Sequence, residues 1–171
     1  MVLGNPLNET AYHEAGHITT AAAVGLDLQD KGIIIYEVEN LGDGWAFYWE
    51  DNQQWTDILV ALRAGQLAQL RQFPGSYFLG GQTDVQKFSY IVEHYFPGVL
   101  NSTMWEDISK KANDMLKTHW SAVEDVARAV IHADWLPVAS GEHQRATRKK
   151  HLDGSALAAI LFPHGITANV R

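Results

Sequence analysis

Two histidines and a glutamate near the start of the chain have the types and spacing of a catalytic zinc site. They belong to the run His13-Glu14-Ala15-Gly16-His17, which has the form His-Glu-x-x-His. Residues four apart on an α-helix lie on one face, so both imidazoles can bind one Zn²⁺. Glu14 lies about 100° around the helix from His13, where a carboxylate can act as a base on water. The motif predicts a hydrolytic zinc site with Glu14 as its catalytic residue.

The residues around the motif predict the helix that it needs. Asn8 is a suitable N-cap residue before an apolar stripe at helical spacing, and Gly25 is placed as the C-terminal stop. So apolar a helix is expected to be buried on several sides, and buried histidines need polar partners. The alternative is an amphipathic helix that carries two surface histidines and binds no metal.

Composition limits the class of protein and the kind of metal site. The chain has 171 residues, no cysteine and a net charge of −7. We expect a single domain over residues 1–171, with any metal held by His, Asp or Glu. The acidic balance argues against nucleic acid as a partner. Because no apolar run is long enough for a membrane span and no secretory signal is evident, we expect a cytoplasmic protein.

Hydropathy patterning predicts a mainly α (α+β) chain with one small β-hairpin. The hairpin is expected from strands at 31–38 and 45–49, joined by a turn at 40–44. Helices are expected at about 56–72, 84–94, 102–120, 123–133 and 156–161. Residues 136–150 are polar and are expected to be irregular. They include a cationic cluster that is typical of a solvated loop, formed by Arg145, Arg148, Lys149 and Lys150.

A catalytic zinc site needs a third protein ligand in addition to His13 and His17. The continuation His-x-x-Gly-x-x-His is absent, because Thr20 and Ala23 stand at the glycine and histidine positions. Glu37, Glu39 and His94 are candidates, although such residues are more often on the surface or, for a histidine, in the core.

Asp84 is the candidate whose local context is most specific. It follows a glycine-rich loop at 79–82 and, with Thr83 as N-cap, opens a predicted helix, so its carboxylate can be aimed at one point. An aspartate in a first turn can equally serve only to stabilise the helix dipole. From spacing alone, both roles of Asp84 remain open.

The segment around Asp84 reads Leu-Gly-Gly-Gln-Thr-Asp-Val-Gln-Lys-Phe at 79–88. Together with His-Glu-Ala-Gly-His, it resembles the peptidase domain of the FtsH family of AAA zinc metalloproteases. That family pairs the motif with a downstream segment similar to Thr-Gly-Ala-Ser-Asn-Asp-Ile-Gln-Arg-Ala. The hairpin at 33–49, the helix at 58–68 and the closing segment at 152–161 also correspond. The resemblance implies a helical zincin-type metallopeptidase domain in which Asp84 is the third zinc ligand.

The chain departs from that family at several points. It contains no Walker motif Gly-x-x-x-x-Gly-Lys-Ser/Thr and no counterpart of the family's membrane anchor. Thr83 stands where the family usually has Asn, and Ala68 and Gln69 stand where it commonly has an acidic residue. Residues at about 136–151 look like an insertion. The resemblance therefore implies a stand-alone peptidase domain.

These observations predict a zinc metalloendopeptidase that hydrolyses flexible or unfolded polypeptides through a zinc-activated water. The expected cofactor is Zn²⁺ and the expected partner is a peptide or unfolded protein substrate, with a second copy of the chain or a separate ATPase as further partners. One alternative is a non-catalytic, zinc-stabilised interaction domain of the same fold, which a closed four-ligand site including His94 would favour. The other is a peptidase subunit that works with a separate ATPase.

Overall fold

The structure is a computed structural model that describes residues 5–38, 41–50, 54–76 and 81–171. Within these ranges it contains six α-helices, four strands and a short 3-10 helix, which confirms the mainly α (α+β) prediction. No helix in the described part of the chain is both long and apolar enough to cross a membrane. The elements follow in chain order: α1 Pro6–Ala23, β1 Leu28–Val38, β2 Leu41–Tyr48, α2 Trp55–Gln72, α3 Gly81–Tyr95, α4 Asn101–Thr118, α5 Trp120–His132, β3 Leu136–Pro137, β4 Arg148–Leu152, α6 Gly154–Leu161 and the 3-10 helix Phe162–His164.

α1 carries the histidine motif and begins earlier than predicted. Its N-cap is Asn5, whose Oδ1 accepts a hydrogen bond from the backbone N–H of Leu7 at 3.0 Å. Pro6 takes the first helical position, where its fixed φ suits the helix and where a backbone N–H would have no partner within the helix. The prediction of Asn8 as N-cap is therefore wrong. Gly25, with φ +87°, follows the end of the helix as predicted.

α1 and α2 pack at close range because small residues face each other between them. A Cβ on Gly16 would lie 2.6 Å from Cβ of Ala68 and 2.8 Å from the carbonyl oxygen of Ala64. Any larger side chain at these positions would push the helices apart. The short separation brings backbone and side-chain groups of α2 within hydrogen-bond reach of the motif on α1.

The strands form one antiparallel sheet with the order β2-β1-β4-β3, so β2 lies at an edge. One face of β1, with Ile33 and Ile35, packs into the main core with the helices. β2 passes so close to α1 that a Cβ on Gly42 would lie 2.4 Å from Oγ1 of Thr10. The predicted hairpin is present as β1 and β2, and it places an edge strand beside the motif.

The segment at 136–150 is irregular over 138–147, as predicted, but its two ends are strands, because it contributes β3 and most of β4. β4 pairs with β1, from Ile33 opposite Leu152 to Tyr36 opposite Lys149. The strand was missed because its sequence, Arg-Lys-Lys-His-Leu, lacks apolar alternation and is ordered by its partner strand. Between β3 and β4, the chain covers the outer face of the sheet, where these side chains form a second apolar cluster: Ile34, Tyr36, Val38, Phe47, Val138 and Ala146.

The cationic cluster is only partly a solvated loop: Arg145 and Arg148 are exposed, but Arg148, Lys149 and Lys150 lie on β4. Arg148 pairs with Glu37 and Lys149 pairs with Glu142. Lys150 is only 5% exposed and donates to the carbonyl oxygen of Ile131 at 2.7 Å, near the C-terminus of α5. A cation at that end of a helix is favoured by the helix dipole. These side chains therefore hold β4 against its neighbours.

Candidate metal centre

The two motif histidines and Asp84 meet at one point. Nε2 of His13 and Nε2 of His17 are 2.9 Å apart, and Oδ2 of Asp84 lies 3.0 Å from the first and 3.2 Å from the second. We call these three side chains the His-His-Asp cluster. Within the described ranges, it is the one group of three or more His, Cys, Asp or Glu side chains arranged to hold a metal ion.

Both histidines are buried, and each uses Nδ1 to donate a hydrogen bond. His13 is 2% exposed and His17 is 5% exposed, so the alternative of surface histidines is wrong. Nδ1 of His17 donates to the carbonyl oxygen of Ala61 at 2.8 Å, and Nδ1 of His13 donates to Oε1 of Gln69 at 3.2 Å. A neutral imidazole protonated at Nδ1 has its lone pair on Nε2. Both lone pairs therefore point toward the same place.

The chemistry of this donor set fits Zn²⁺. Two imidazole lone pairs and a carboxylate oxygen at such distances repel one another unless a cation lies among them. Ligand atoms around tetrahedral zinc, with bonds of about 2.0–2.1 Å, are roughly 3.3 Å apart. The three separations in the cluster, 2.9, 3.0 and 3.2 Å, are close to that value.

Without a metal, a proton takes the place of the cation. Burial by itself lowers the pKa of His17, but the charge and hydrogen bond of Asp84, with smaller contributions from Glu14 and the Ala61 carbonyl, raise it to about 9. Although burial raises the pKa of Asp84, the two histidines hold that pKa well below its usual range. The raised pKa of His17 and the lowered pKa of Asp84 both indicate that the cluster favours a positive charge.

Asp84 reaches the histidines from the first turn of α3. The helix begins at Gly81, so Thr83 lies inside it and the prediction of Thr83 as N-cap is wrong. Threonine is a good N-cap residue, but the backbone conformation decides where a helix begins, and α3 begins three residues before the predicted start at 84. Part of the predicted loop, at 79–80, lies outside the described residues. The side chain of Asp84 remains 25% exposed and faces a cleft.

The other candidate ligands do not join the cluster. Glu37 is paired with Arg148 on β4. His94 is exposed near the end of α3, where its Nδ1 donates to the carbonyl oxygen of Tyr90 at 2.9 Å. Glu39 lies outside the described residues. His94 is therefore not a fourth ligand that closes the site.

Glu14 lies beside the cluster and faces the same cleft. It is 5% exposed, and no described residue forms a hydrogen bond with its carboxylate. Burial raises the pKa of Glu14, and the nearby His13 and His17 only partly offset this effect. A carboxylate with a raised pKa is a more effective proton acceptor near neutral pH than an ordinary surface glutamate. The environment of Glu14 thus suits a general base.

Three glycines allow the elements around the site to pack closely without a steric clash. Their roles were not predicted from the sequence. A Cβ on Gly44 of β2 would lie 2.7 Å from Oε1 of Glu14. A Cβ on Gly65 of α2 would lie 2.3 Å from Nε2 of His17, and Gly16 permits the close packing of α1 on α2. The available signal for Gly65 was a glycine in the middle of a strongly predicted helix, which usually marks a close approach.

One face of α2 supports both imidazoles. Ala61, Gly65 and Gln69 follow one another at one-turn spacing: the first accepts from His17, the second leaves room for its ring, and the third accepts from His13. Gln69 is itself 1% exposed. Hydrogen bonds of this kind fix the tautomer and the orientation of metal-binding histidines.

Gln69 is expected to affect zinc affinity although it does not touch the metal position. Its Nε2 donates to Oγ of Ser76 at 2.7 Å and to Oε2 of Glu9 at 3.3 Å, which leaves Oε1 directed at His13. We expect Gln69→Ala to raise the Zn²⁺ dissociation constant about 10- to 100-fold, measured by competition with a chelator. Gln72→Ala, at an exposed position in the last turn of α2, is the control and should leave the constant unchanged. Equal affinities for both variants would contradict the supporting role of Gln69.

The cleft in front of the cluster is bounded by α1, β2 and α3. It has a volume of about 170 Å³. Trp45 and Asp43 of β2 line one side, and Lys87 of α3 pairs with Glu50 on another. Since β2 is an edge strand of the sheet, the cleft lies where a backbone can approach both the strand and the cluster.

No model of a known protein family matches the chain, and no curated protein matches it.

Proposed function

We propose that the chain is a zinc metallopeptidase that hydrolyses peptide bonds in flexible or unfolded polypeptides. The observation that carries the proposal is the position of Glu14, buried and without a hydrogen-bond partner among the described residues, beside the His-His-Asp cluster in an accessible cleft. Zn²⁺ held by the cluster would lower the pKa of a water molecule and polarise a substrate carbonyl. We also propose that the chain is a relative of the FtsH peptidase domain.

Each of the protein groups at the site would have a separate role in this reaction. His13, His17 and Asp84 would hold the metal through Nε2, Nε2 and Oδ2, and the Ala61 carbonyl and Gln69 keep the imidazoles in the required tautomer. Glu14 accepts the proton of the attacking water and then delivers it to the leaving amine. Burial raises the pKa of Glu14, which favours its accepting the proton of the water.

The edge position of β2 supports a mode of substrate binding. An extended peptide can pair with an edge strand through main-chain hydrogen bonds, which confer affinity without requiring a particular sequence. Trp45 lines the cleft and is 50% exposed, so it offers an apolar contact to the side chains of the bound peptide. Only a segment that is already extended can lie along the strand, which favours flexible or unfolded substrates.

Metal removal tests the proposed function directly. The zinc-loaded chain is expected to cleave casein, an unstructured protein, into peptides that are detected by mass spectrometry. Treatment with a chelator should abolish the cleavage because Glu14 alone does not activate water sufficiently, and one equivalent of Zn²⁺ should restore it. Cleavage by protein shown to be metal-free by elemental analysis would contradict the proposal. So would a zinc-loaded chain that cleaves neither casein nor any member of a random peptide mixture.

A further inference from the structure

One hydroxyl group beside the cleft has no hydrogen-bond partner among the described residues. Tyr48 is the last residue of β2, its side chain is packed in the main core, and the residue is 7% exposed. No described residue forms a hydrogen bond with its hydroxyl. Among the described residues, the one side-chain polar atom that is both fully buried and without a partner is Oγ1 of Thr19, so the Tyr48 hydroxyl is not fully buried. Tyr48 lines the cleft together with Glu14 and Asp84. Since a buried phenol normally has a hydrogen-bond partner, this hydroxyl is available for a partner that enters the cleft.

The face of β2 that carries Tyr48 is the face that covers the motif. Side chains alternate along a strand, so Gly44, Ala46 and Tyr48 share one side. A Cβ on Gly44 would touch Glu14, and Ala46 and Tyr48 both pack with the main core that contains α1. Because Gly44 has no side chain, the strand approaches Glu14 closely at one end of this face, and Tyr48 lies at the other end. Gly44, Ala46 and Tyr48 all line the cleft together with Glu14.

The surroundings of Tyr48 keep its hydroxyl protonated. Burial raises the pKa of Tyr48 well above its ordinary value, and the carboxylates of Glu50, Asp84 and Glu14 raise it further. A phenol in this environment remains a hydrogen-bond donor throughout the neutral pH range. It cannot serve as a base, but it can donate to an oxygen atom that acquires negative charge.

We propose that Tyr48 is a further catalytic residue, whose hydroxyl donates a hydrogen bond to the oxygen of the scissile carbonyl as that oxygen becomes negatively charged. This inference rests on the proposed peptidase function. When the water oxygen bonds to the carbonyl carbon, the π electrons of C=O move onto the oxygen and Glu14 takes the proton of the water. When the C–N bond breaks, those electrons return to form C=O, and the amine leaves with the proton from Glu14. Tyr48 keeps its own proton throughout and interacts most strongly in the charged state.

Tyr48→Phe tests this role because it removes only the hydroxyl. We expect kcat for an internally quenched peptide, chosen as the best cleaved of a random mixture, to fall about 10²- to 10³-fold with little change in KM. Zinc content and the melting temperature should be unchanged, because the ring still fills its place in the core. The second measurement is calorimetric binding of a phosphinic analogue of that peptide, whose tetrahedral –PO₂⁻– group carries the charge. Its affinity for the zinc-loaded variant should fall by a similar factor, whereas affinity for the cleavage products should not.

Tyr36→Phe is the matched control. Tyr36 is also buried, but it lies on the outer face of the sheet, where its hydroxyl donates to Glu142 at 3.0 Å. This variant should keep the kcat and the phosphinate affinity of the wild type. Wild-type values in Tyr48→Phe for both quantities would overturn the role of Tyr48 and leave the proposed function standing. A wild-type chain that binds zinc but cleaves no peptide would overturn both.

Discussion

Glu14→Gln is expected to reduce peptide hydrolysis about 10²- to 10⁴-fold while the chain keeps its zinc. The amide has the shape of the carboxylate but cannot accept the proton of the attacking water. Zinc content should be retained because Glu14 is not part of the His-His-Asp cluster, whose three atoms come from other side chains. The fold should also be retained, since burial disfavours the charged form of Glu14 and the neutral amide removes that charge from the interior.

The measurement compares initial rates on casein with zinc content, determined by elemental analysis on the same preparations. Glu93→Gln is the matched control, because Glu93 is an exposed glutamate near the C-terminal end of α3. It makes the same chemical change without touching the cleft, so rates should remain at the wild-type level. Full activity of Glu14→Gln would exclude Glu14 as the base. Loss of zinc from this variant would instead show that Glu14 is a ligand.

The local part of the fold could be predicted from the sequence, whereas the part ordered by distant contacts could not. α1 was found because its apolar stripe and its terminal Gly25 are signals within one stretch of chain. β4 was missed because its five residues are mostly charged and become a strand only by pairing with β1. Lys150 illustrates the reason: its burial depends on carbonyl groups at the end of α5, which its own segment does not specify.

The site shows the same division. His13, Glu14 and His17 follow from a spacing of four residues on one helix, which the sequence displays directly. Asp84 is separated from the histidines by 71 and 67 residues, and spacing alone did not distinguish a ligand from a first-turn aspartate that stabilises the helix dipole. A family resemblance was needed to select it, and the structure brings its Oδ2 to both Nε2 atoms. The roles of Gln69 and Tyr48 depend on distances between α1, α2 and β2, so no pattern in the sequence alone identifies them.

Asp84→Ala is expected to eliminate stoichiometric zinc binding at concentrations at which the wild-type chain is saturated. Two buried imidazoles remain in this variant, but a zinc site normally uses three or four protein ligands. The lost carboxylate is also the negative charge nearest to the two Nε2 atoms, so the variant loses the electrostatic attraction for a cation as well as a ligand atom. Elemental analysis after gel filtration measures the effect, and hydrolysis should disappear together with the metal.

Asp43→Ala distinguishes a ligand from a cleft residue of the same charge. Asp43 lines the cleft from β2, but its carboxylate lies 3.2 Å from Nε2 of His143 and is not part of the His-His-Asp cluster. Removing it lowers the negative charge of the cleft by the same amount, yet zinc content should stay at one equivalent. If both variants lost zinc, general electrostatic attraction rather than ligation would account for the effect. If Asp84→Ala kept its zinc, the assignment of Asp84 as a ligand would be wrong. The family resemblance would then lose its main support, because it depends on a third zinc ligand on α3 in addition to the histidine motif on α1.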